Sequence, residues 1–390
     1  MRTADDRFDL VIVGAGIVGL AHAAEGVRRG LRVAVVERDA FARGASVRNF
    51  GHGCVSGQAG AALAYAKVAR ERWLALGRLA GFFAEPTGTV VAARSAEELA
   101  VLREFAAGGS APAEILDADG VRARVPLRAK TLLGGAFLPW DVRVNPREAV
   151  GALAGWLAGE GVTFFWRTAA TGAEEGALHT SRGDLAAPAI VLAVGHDLDW
   201  LFPDLAEQSG VRRCALGMLR VSAPGLAGEG RAGTASGGAG QARFGPGVLT
   251  GLSLLRYAGF EDCPSLPALR ARFEAERPEL LAVDMNLMFT QLPGGDLLIG
   301  DTHERAITHH AFRDERVDEL LLAETADLLG VPMAELAVRE RWRGYYATAP
   351  EREFLVAAPR PGVRVVIVTT GIGMTTSHGL AAEVLTDLIP

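Results

Sequence analysis

The sequence predicts an α/β protein. A Rossmann-like nucleotide-binding domain is assembled from separated stretches of chain, and a second, α+β domain with a mixed or antiparallel sheet lies between them. Three observations predict it. Residues 10–19 read Leu-Val-Ile-Val-Gly-Ala-Gly-Ile-Val-Gly, and a second apolar run, Val33-Ala-Val-Val, ends in Glu37. Near the other end, the apolar run Val363–Thr369 leads into Gly371-Ile-Gly373 and a final helical stretch. The stretches between carry hairpin and loop signals and no internal repeat.

The first run reads as strand, glycine turn, helix and second strand. Gly14 makes the tight turn, Gly16 lets backbone approach a pyrophosphate, and Gly19 lets the helix pack close on the strand. The helix opening at Ile17 and Val18 offers free N–H groups and a partial positive charge to phosphates. Glu37, at the end of the second strand, suits a ribose hydroxyl pair. An adenine dinucleotide follows from this spacing; which one does not.

Further along, Ser46 to Gly60 reads as a loop and Ala61 to Leu79 as a helix with a charged face. Thr87 to Arg94 reads as a strand, Ala96 to Ala107 as a helix, and Asp119 to Val125 as a helical turn. Pro146 suits the first turn of a helix over Arg147 to Gly159. Gly161 to Trp166 and Ala189 to Gly195 read as strands, the second fully buried and ending in Gly195-His196 at a sheet edge. Residues 223–248, rich in Gly, Ala and Pro, read as an irregular connection or lid. Leu252 to Tyr257 reads as a strand and Leu266 to Glu276 as a helix. Leu287 to Leu292 and Leu297 to Gly300 form a hairpin around Pro293-Gly-Gly-Asp296. Val317 to Leu329 reads as an amphipathic helix. The expected nucleotide-binding domain is 1–85, 140–208 and 335–390, and the expected substrate domain is 86–139 and 209–334.

The chain has 390 residues, 49% hydrophobic and 22% charged, with a net charge of −6. That is a globular composition with a large core. Its acidity argues against nucleic acid, which needs clustered cations. Lys67 and Lys130 are the only lysines, so cationic roles fall to Arg and His. Cys54, Cys214 and Cys263 form no CxxC or zinc spacing. Reduced thiols, a cytoplasmic location and no metal site are therefore expected. No stretch is long and apolar enough to span a membrane.

The fingerprint, Glu37-Arg38, the Gly44-Ala45-Ser46 turn, the Ala193-Val-Gly195 strand end and Gly371-Ile-Gly373 together resemble the D-amino-acid oxidase and sarcosine oxidase superfamily of FAD-dependent oxidoreductases. The resemblance spans nearly the whole chain. Ser46-Val-Arg-Asn-Phe-Gly51, Leu252-Ser-Leu-Leu-Arg-Tyr257, Gly300-Asp-Thr-His303 and Gly373-Met-Thr-Thr-Ser-His-Gly379 resemble a narrower clade associated with aminophosphonate breakdown. The resemblance implies FAD and oxidation of a small amine by hydride transfer to flavin N5 and imine hydrolysis. The narrower one implies oxidative deamination of a 2-aminoethylphosphonate-like compound, hydroxylated or N-methylated forms included. It also implies that Gly371, Gly373, Met374 and Thr375 sit near flavin N1 and O2, where N–H groups favour negative charge. Ser46 and Asn49 are expected to contact the cofactor. Arg48 faces either flavin or substrate, and His52 either touches substrate or packs in its loop.

Two departures matter. Amino-acid-oxidising relatives often carry an arginine clamp in a Trp-x-Gly-x-Arg-Pro pattern. This chain reads Trp342-Arg-Gly-Tyr-Tyr346, and a tyrosine cannot make the bidentate carboxylate pair. The lysine that activates oxygen in sarcosine-oxidase-like relatives is missing from Leu297-Leu-Ile-Gly300; Arg48, His52 or His303 could supply the charge, or another electron acceptor replaces O2. Gly344 stands near where covalent-flavin relatives place a cysteine, which implies non-covalent FAD. Arg256, Tyr257 and His303, with Tyr345 or Tyr346, are the expected substrate pocket, suited to an anionic phosphonate. Asp301 is either an ammonium partner or a turn cap, and His309 and His310 are expected to be solvated. The alternatives are an oxidase of a secondary amine or N-methyl or D-amino acid, and a flavin-binding subunit without turnover. A monomer or homodimer suits either.

Overall fold

A computed structural model of the chain describes residues 7–223 and 244–389. A six-stranded sheet carries the N-terminal fingerprint. Its order is Phe354–Arg360, Val363–Val368, Ala189–Leu192, Leu10–Val13, Val33–Glu37 and Thr163–Trp166. All neighbours are parallel except the first pair. Strands buried on both faces read as unbroken apolar runs, and Leu10–Val13 and Val33–Val36 do so. Alternation sends Leu10, Ile12, Val33 and Val35 to one face. There they pack with Leu153 and Leu157 of helix Pro146–Gly159, Trp73 of helix Gly60–Ala80 and Leu380 of helix Gly373–Leu388. Val11, Val13, Ala34 and Val36 take the other face, against Leu178 and Leu185 of a small antiparallel sheet over 170–186.

The second sheet has eight strands: Ala337–Thr348, Arg212–Ser222, Leu297–Ala306, Met288–Gln291, Gly247–Leu249, Thr89–Ala93, Gly134–Leu138 and Glu114–Asp117. It is antiparallel except where Gly247–Leu249 meets Thr89–Ala93. Helices Ala96–Gly108, Leu266–Glu276 and Glu315–Leu329 contribute Phe105, Leu269 and Leu321 to its core. A short sheet of His52–Gly53, Val142–Val144 and Ala84–Glu85 stands apart from both large sheets.

Several elements differ from the sequence reading. Leu252 to Tyr257 is not a strand: Gly251–Leu254 is a helical turn, and Arg256 and Tyr257 N–H groups donate back to Ser253. A short apolar run does not separate strand from buried helix; here Thr250 tethers the turn by donating to the Leu287 carbonyl. The long strands Arg212–Ser222 and Ala337–Thr348 carry few turn signals and were not expected. The second lies beyond the expected boundary at 335, yet it bonds to the eight-stranded sheet; the six-stranded sheet resumes at Phe354. Of the expected lid at 223–248, residues 224–243 lie outside the described residues, and Gly247–Leu249 is a strand. Among the described residues, no helix is long and apolar enough to cross a membrane.

Trp73 locks the last helix in place: its Nε1 donates to the Met374 carbonyl at 2.6 Å, in that helix's first turn. Trp73→Phe leaves this carbonyl without that donor and should cost about 1–3 kcal/mol, read as a lower urea midpoint, with weaker FAD retention. His22, a fully buried residue of helix Ile17–Arg28, has its pKa pushed down by burial to about 4. Between about pH 6.5 and pH 4 the unfolded chain therefore binds more protons, and stability falls as pH falls through that window. Urea unfolding at about pH 7 and pH 5 should show this loss, and His22→Leu should reduce it.

Candidate functional site

The cleft opens at the carboxyl edge of the six-stranded sheet, where ligands bind in open α/β folds. It has a volume of about 540 Å³. Gly14, with φ +103°, turns under it, and a Cβ there would lie 2.6 Å from the Ala193 carbonyl oxygen. A Cβ on Gly19 would lie 1.9 Å from the Gly14 oxygen, so the helix approaches its own turn as closely as backbone allows. Gly16 caps helix Ile17–Arg28 with no side-chain hydrogen bond and no acidic residue in the first turn. That leaves a positive helix end facing the cleft. Ser46 Oγ accepts from the Ile17 N–H at 2.9 Å, joining the glycine loop to the helix.

Glu37 carries one carboxylate oxygen 2.9 Å from the Ala15 N–H and the other 3.0 Å from the Asp39 N–H. Both donors orient it along the cleft wall. Arg38 pairs with Asp197 at 2.7 Å and lies 5.9 Å from the Trp200 ring centroid. In the turn before the last helix, Gly371 has φ +79°, and a Cβ there would lie 3.2 Å from the Tyr346 ring. The following helix, Gly373–Leu388, again opens without a side-chain cap or an early acid. Two helix N-termini without early acids thus line the cleft side by side, a Cβ on Gly373 standing 3.8 Å from Ile17 Cγ2, and their partial positive charge suits a pyrophosphate and an electron-rich ring.

Most residues expected at the cofactor line this cleft: Gly14, Gly16, Ile17, Val18, Glu37, Arg38, Gly44, Ala45, Ser46, Asn49, Ala193, Gly195, Gly371, Gly373 and Met374. Gly19 and Thr375 stand behind the wall. Thr375 is buried with its N–H on the Ile372 carbonyl. Asn49 spends its polar atoms on its own loop, donating to Ala45 and Ser46 carbonyls and accepting from the Gly51 N–H. His196, expected at this sheet edge, lines it too, while the sequence reading missed Thr168 to Thr171, Asp197 and Trp200. The signal was available in part: Trp166 pairs in register with Glu37, so the chain after it must emerge at the same edge.

Of the residues expected near the chemistry, Arg48, Tyr345 and Tyr346 line the cleft, while His52, Arg256, Tyr257 and His303 do not. Arg48 donates to the Arg343 carbonyl at 3.2 Å; burial and the neighbouring Arg43 push its pKa down, against Tyr345 and Asp39. Arg256 stands behind Tyr346 and donates to its hydroxyl at 2.9 Å. Burial pushes the Tyr346 phenol up, and Arg256 opposes this. Burial also disfavours the Arg256 charge, but Tyr346, Asp301 and Asp284 outweigh it and the pKa rises.

His303 Nδ1 donates to the Asp284 carbonyl at 2.8 Å, and its Nε2 lies 3.2 Å from Asp301. Asp301 is no turn cap: it sits within strand Leu297–Ala306 and exchanges backbone bonds with Asn286. Its Oδ1 is buried without a partner. Tyr257 is packed toward Met288, with its phenol pushed up by burial. His52 is packed too, with Nε2 2.6 Å from Thr89 Oγ1. His309 was expected in solvent, but its side chain is buried, the ring against Tyr345 and Nε2 on the Arg213 carbonyl. Strand Ala337–Thr348, unrecognised in the sequence, delivers the tyrosine pair to the cleft.

The family model described as "DAO: FAD dependent oxidoreductase" matches residues 9–241. The chain belongs to this family. It is an FAD-dependent oxidoreductase, and FAD is the cofactor this cleft fits. It is similar to one of the subunits of the anaerobic glycerol-3-phosphate dehydrogenase of Escherichia coli K12, 32% identical over 153 residues. That match takes in 37% of this chain and 28% of the relative's length. Glycine oxidase from Geobacillus kaustophilus superposes with a TM-score of 0.74 at 20% identity, covering 98% of this chain and 94% of that one. L-proline dehydrogenase from P. horikoshii does so at 0.76 and 17%, over 98% and 94%. The FAD-bound L-α-glycerophosphate oxidase of Mycoplasma pneumoniae reaches 0.72 at 16%, over 98% and 95%. At these identities the likeness is one of fold.

Glu37→Ala removes a charged acceptor from both the turn and the cleft wall. It should weaken FAD binding by about 10- to 100-fold, the equivalent of roughly 1.5–3 kcal/mol for a hydrogen bond to a charged group. Flavin fluorescence during FAD titration of the stripped protein measures it. Unchanged affinity would leave Glu37 a brace for the Ala15 and Asp39 backbone alone.

Proposed function

We propose that this flavoprotein oxidises a small amine carrying a phosphonate, of the 2-aminoethylphosphonate kind, and releases the nitrogen after imine hydrolysis. The observation that carries the reading is the Tyr346–Arg256 pair. Tyr346 lies against the Gly371 turn with its hydroxyl held by a buried guanidinium, in place of the arginine that would clamp a planar carboxylate. Arg48 and Tyr345 stand on the same wall. A tetrahedral, multiply charged anion is held by several separate donors, which this set offers. Bound FAD supplies the two-electron acceptor. The chain's part is to orient the substrate carbon toward it, exclude bulk water and favour negative charge at the Gly373–Leu388 helix end. Loss of two electrons and a proton leaves a C=N bond, which water cleaves to an aldehyde and ammonia.

FAD is held non-covalently in this reading, since among the described residues no cysteine lines the cleft. All three cysteines are free and buried, which supports a reducing, cytoplasmic setting. A second reading, oxidation of a phosphorylated alcohol, is favoured by two of the similar proteins, the glycerol-3-phosphate dehydrogenase and the glycerophosphate oxidase. It shares the phosphorus anion and differs in the bond oxidised.

Anaerobic addition of 2-aminoethylphosphonate should bleach the FAD absorbance, while β-alanine should not. Bleaching by glycerol-3-phosphate alone selects the second reading; bleaching by sarcosine or proline alone sinks both. In the bleaching reaction, Tyr346→Phe should raise the half-saturating phosphonate concentration by about 10-fold, as for loss of one hydrogen bond in a buried site, with FAD content unchanged. An unaltered half-saturation would remove Tyr346 from substrate binding.

A further inference from the structure

His52 has no place in the cleft, and the structure brings it together with two residues whose spacing hid them. Strand His52–Gly53 pairs antiparallel with Val142–Val144 in the register His52↔Arg143 and Gly53↔Val142. Cys54 follows this strand and Asp141 precedes its partner, so the same register brings the two residues together. Residues 52 and 54 share one side of the strand by its period of two. A His nitrogen, the Cys54 sulfur and an Asp141 carboxylate oxygen all lie within 4.8 Å of one another, with all three residues buried. This is a mixed nitrogen, sulfur and oxygen set.

The polar bookkeeping of the cluster is incomplete. Asp141 Oδ1 accepts the Ser56 N–H at 2.8 Å, but Asp141 Oδ2 is buried with no hydrogen-bond partner. His52 Nδ1 and Ser56 Oγ are buried without partners too. Asp141 is 0% exposed. A carboxylate oxygen that far from water, left unsatisfied, is costly. His52 Nε2 stands 3.4 Å from Asp141 Oδ2. A charge-assisted hydrogen bond would be about 2.8 Å, whereas two ligands of a tetrahedral zinc at about 2.0–2.1 Å stand roughly 3.4 Å apart.

We propose that His52, Cys54 and Asp141 form a zinc site with three protein ligands. The ligand set matches zinc, which takes imidazole, thiolate and carboxylate together in a tetrahedron. The fourth position is left for a water. Thr89 Oγ1, 2.6 Å from His52 Nε2, turns away when the metal binds. The site ties the chain just after the Ser46–Gly51 loop to the segment entering Val142–Val144, whose Val144 N–H already holds the Gly51 carbonyl at 2.7 Å. The metal thus fixes the cleft loop from behind, outside the FAD cleft, and the proposal does not depend on which substrate is oxidised.

The test is metal content of the purified flavoprotein, produced in zinc-supplemented medium and dialysed against metal-free buffer. Mass spectrometry of the elements should find about one zinc per chain, and X-ray absorption at the zinc edge should show one sulfur at about 2.3 Å among nitrogen and oxygen at about 2.0–2.1 Å. Cys54→Ser and Asp141→Asn should each lose most of the zinc while keeping FAD absorbance. Wild-type protein without zinc overturns the proposal, as does an edge spectrum with no sulfur, or full zinc content in both variants. The wild-type measurements decide even where a variant fails to fold. A zinc-free wild type would leave His52 and Asp141 a plain buried pair.

Discussion

The cleft depends on one close approach. Gly19 brings helix Ile17–Arg28 to within a missing methyl group of the Gly14 carbonyl, and Gly14 in turn passes beneath Ala193. Three strands, Leu10–Val13, Val33–Glu37 and Ala189–Leu192, therefore deliver their carboxyl ends to one line. The helix end points its partial positive charge along it. Side chains at those glycines would push the helix back and leave the phosphates without the partial charge that helix termini provide. Glu37 and Ser46 then act as braces, each spending a side-chain oxygen on the backbone of the Ala15–Ile17 turn.

The cleft wall around Tyr346 is built differently. It is a junction between sheets rather than a local motif. Strand Ala337–Thr348 belongs to the eight-stranded sheet, yet Tyr346 lies on the Gly371 turn of the six-stranded one. Arg256, carried on a short helical turn, closes the contact from behind. The polar groups around it run from buried Asp301 and His303 out to half-exposed Asp284 and exposed Arg305, and each charge restrains its neighbours. Such a network stabilises only as a unit, since removing one member leaves its partner uncompensated. The proposed phosphonate site and this network share Arg256, so substrate preference and domain packing are coupled at one guanidinium.

Local patterning is visible in a sequence because it repeats at the period of the element that carries it. Residues 10–37 and 363–388 state their strands, turns and helices in that way, and so they declared an adenine dinucleotide and the residues lining its cleft. Strand Arg212–Ser222 has two arginines at its start and Gly217 near its centre, strand Ala337–Thr348 gathers Arg339, Glu340, Arg341 and Arg343 in its first half, and no turn signal announces either. Leu252 to Tyr257 was misread because leucines serve helix and strand equally well when fully buried.

By itself the sequence determined the dinucleotide fingerprint, the discontinuous α/β fold and the departure at Tyr346, because each rests on neighbours within a few residues. Only the tertiary structure decided what stands beside what across the chain. It placed Arg256 behind Tyr346 rather than in the open cleft, removed His52 from the chemistry, and put Cys54 across from Asp141. Those pairings span 87 to 90 residues. They arise from sheet register and from the meeting of two cores, which leave no periodic trace in the amino-acid order.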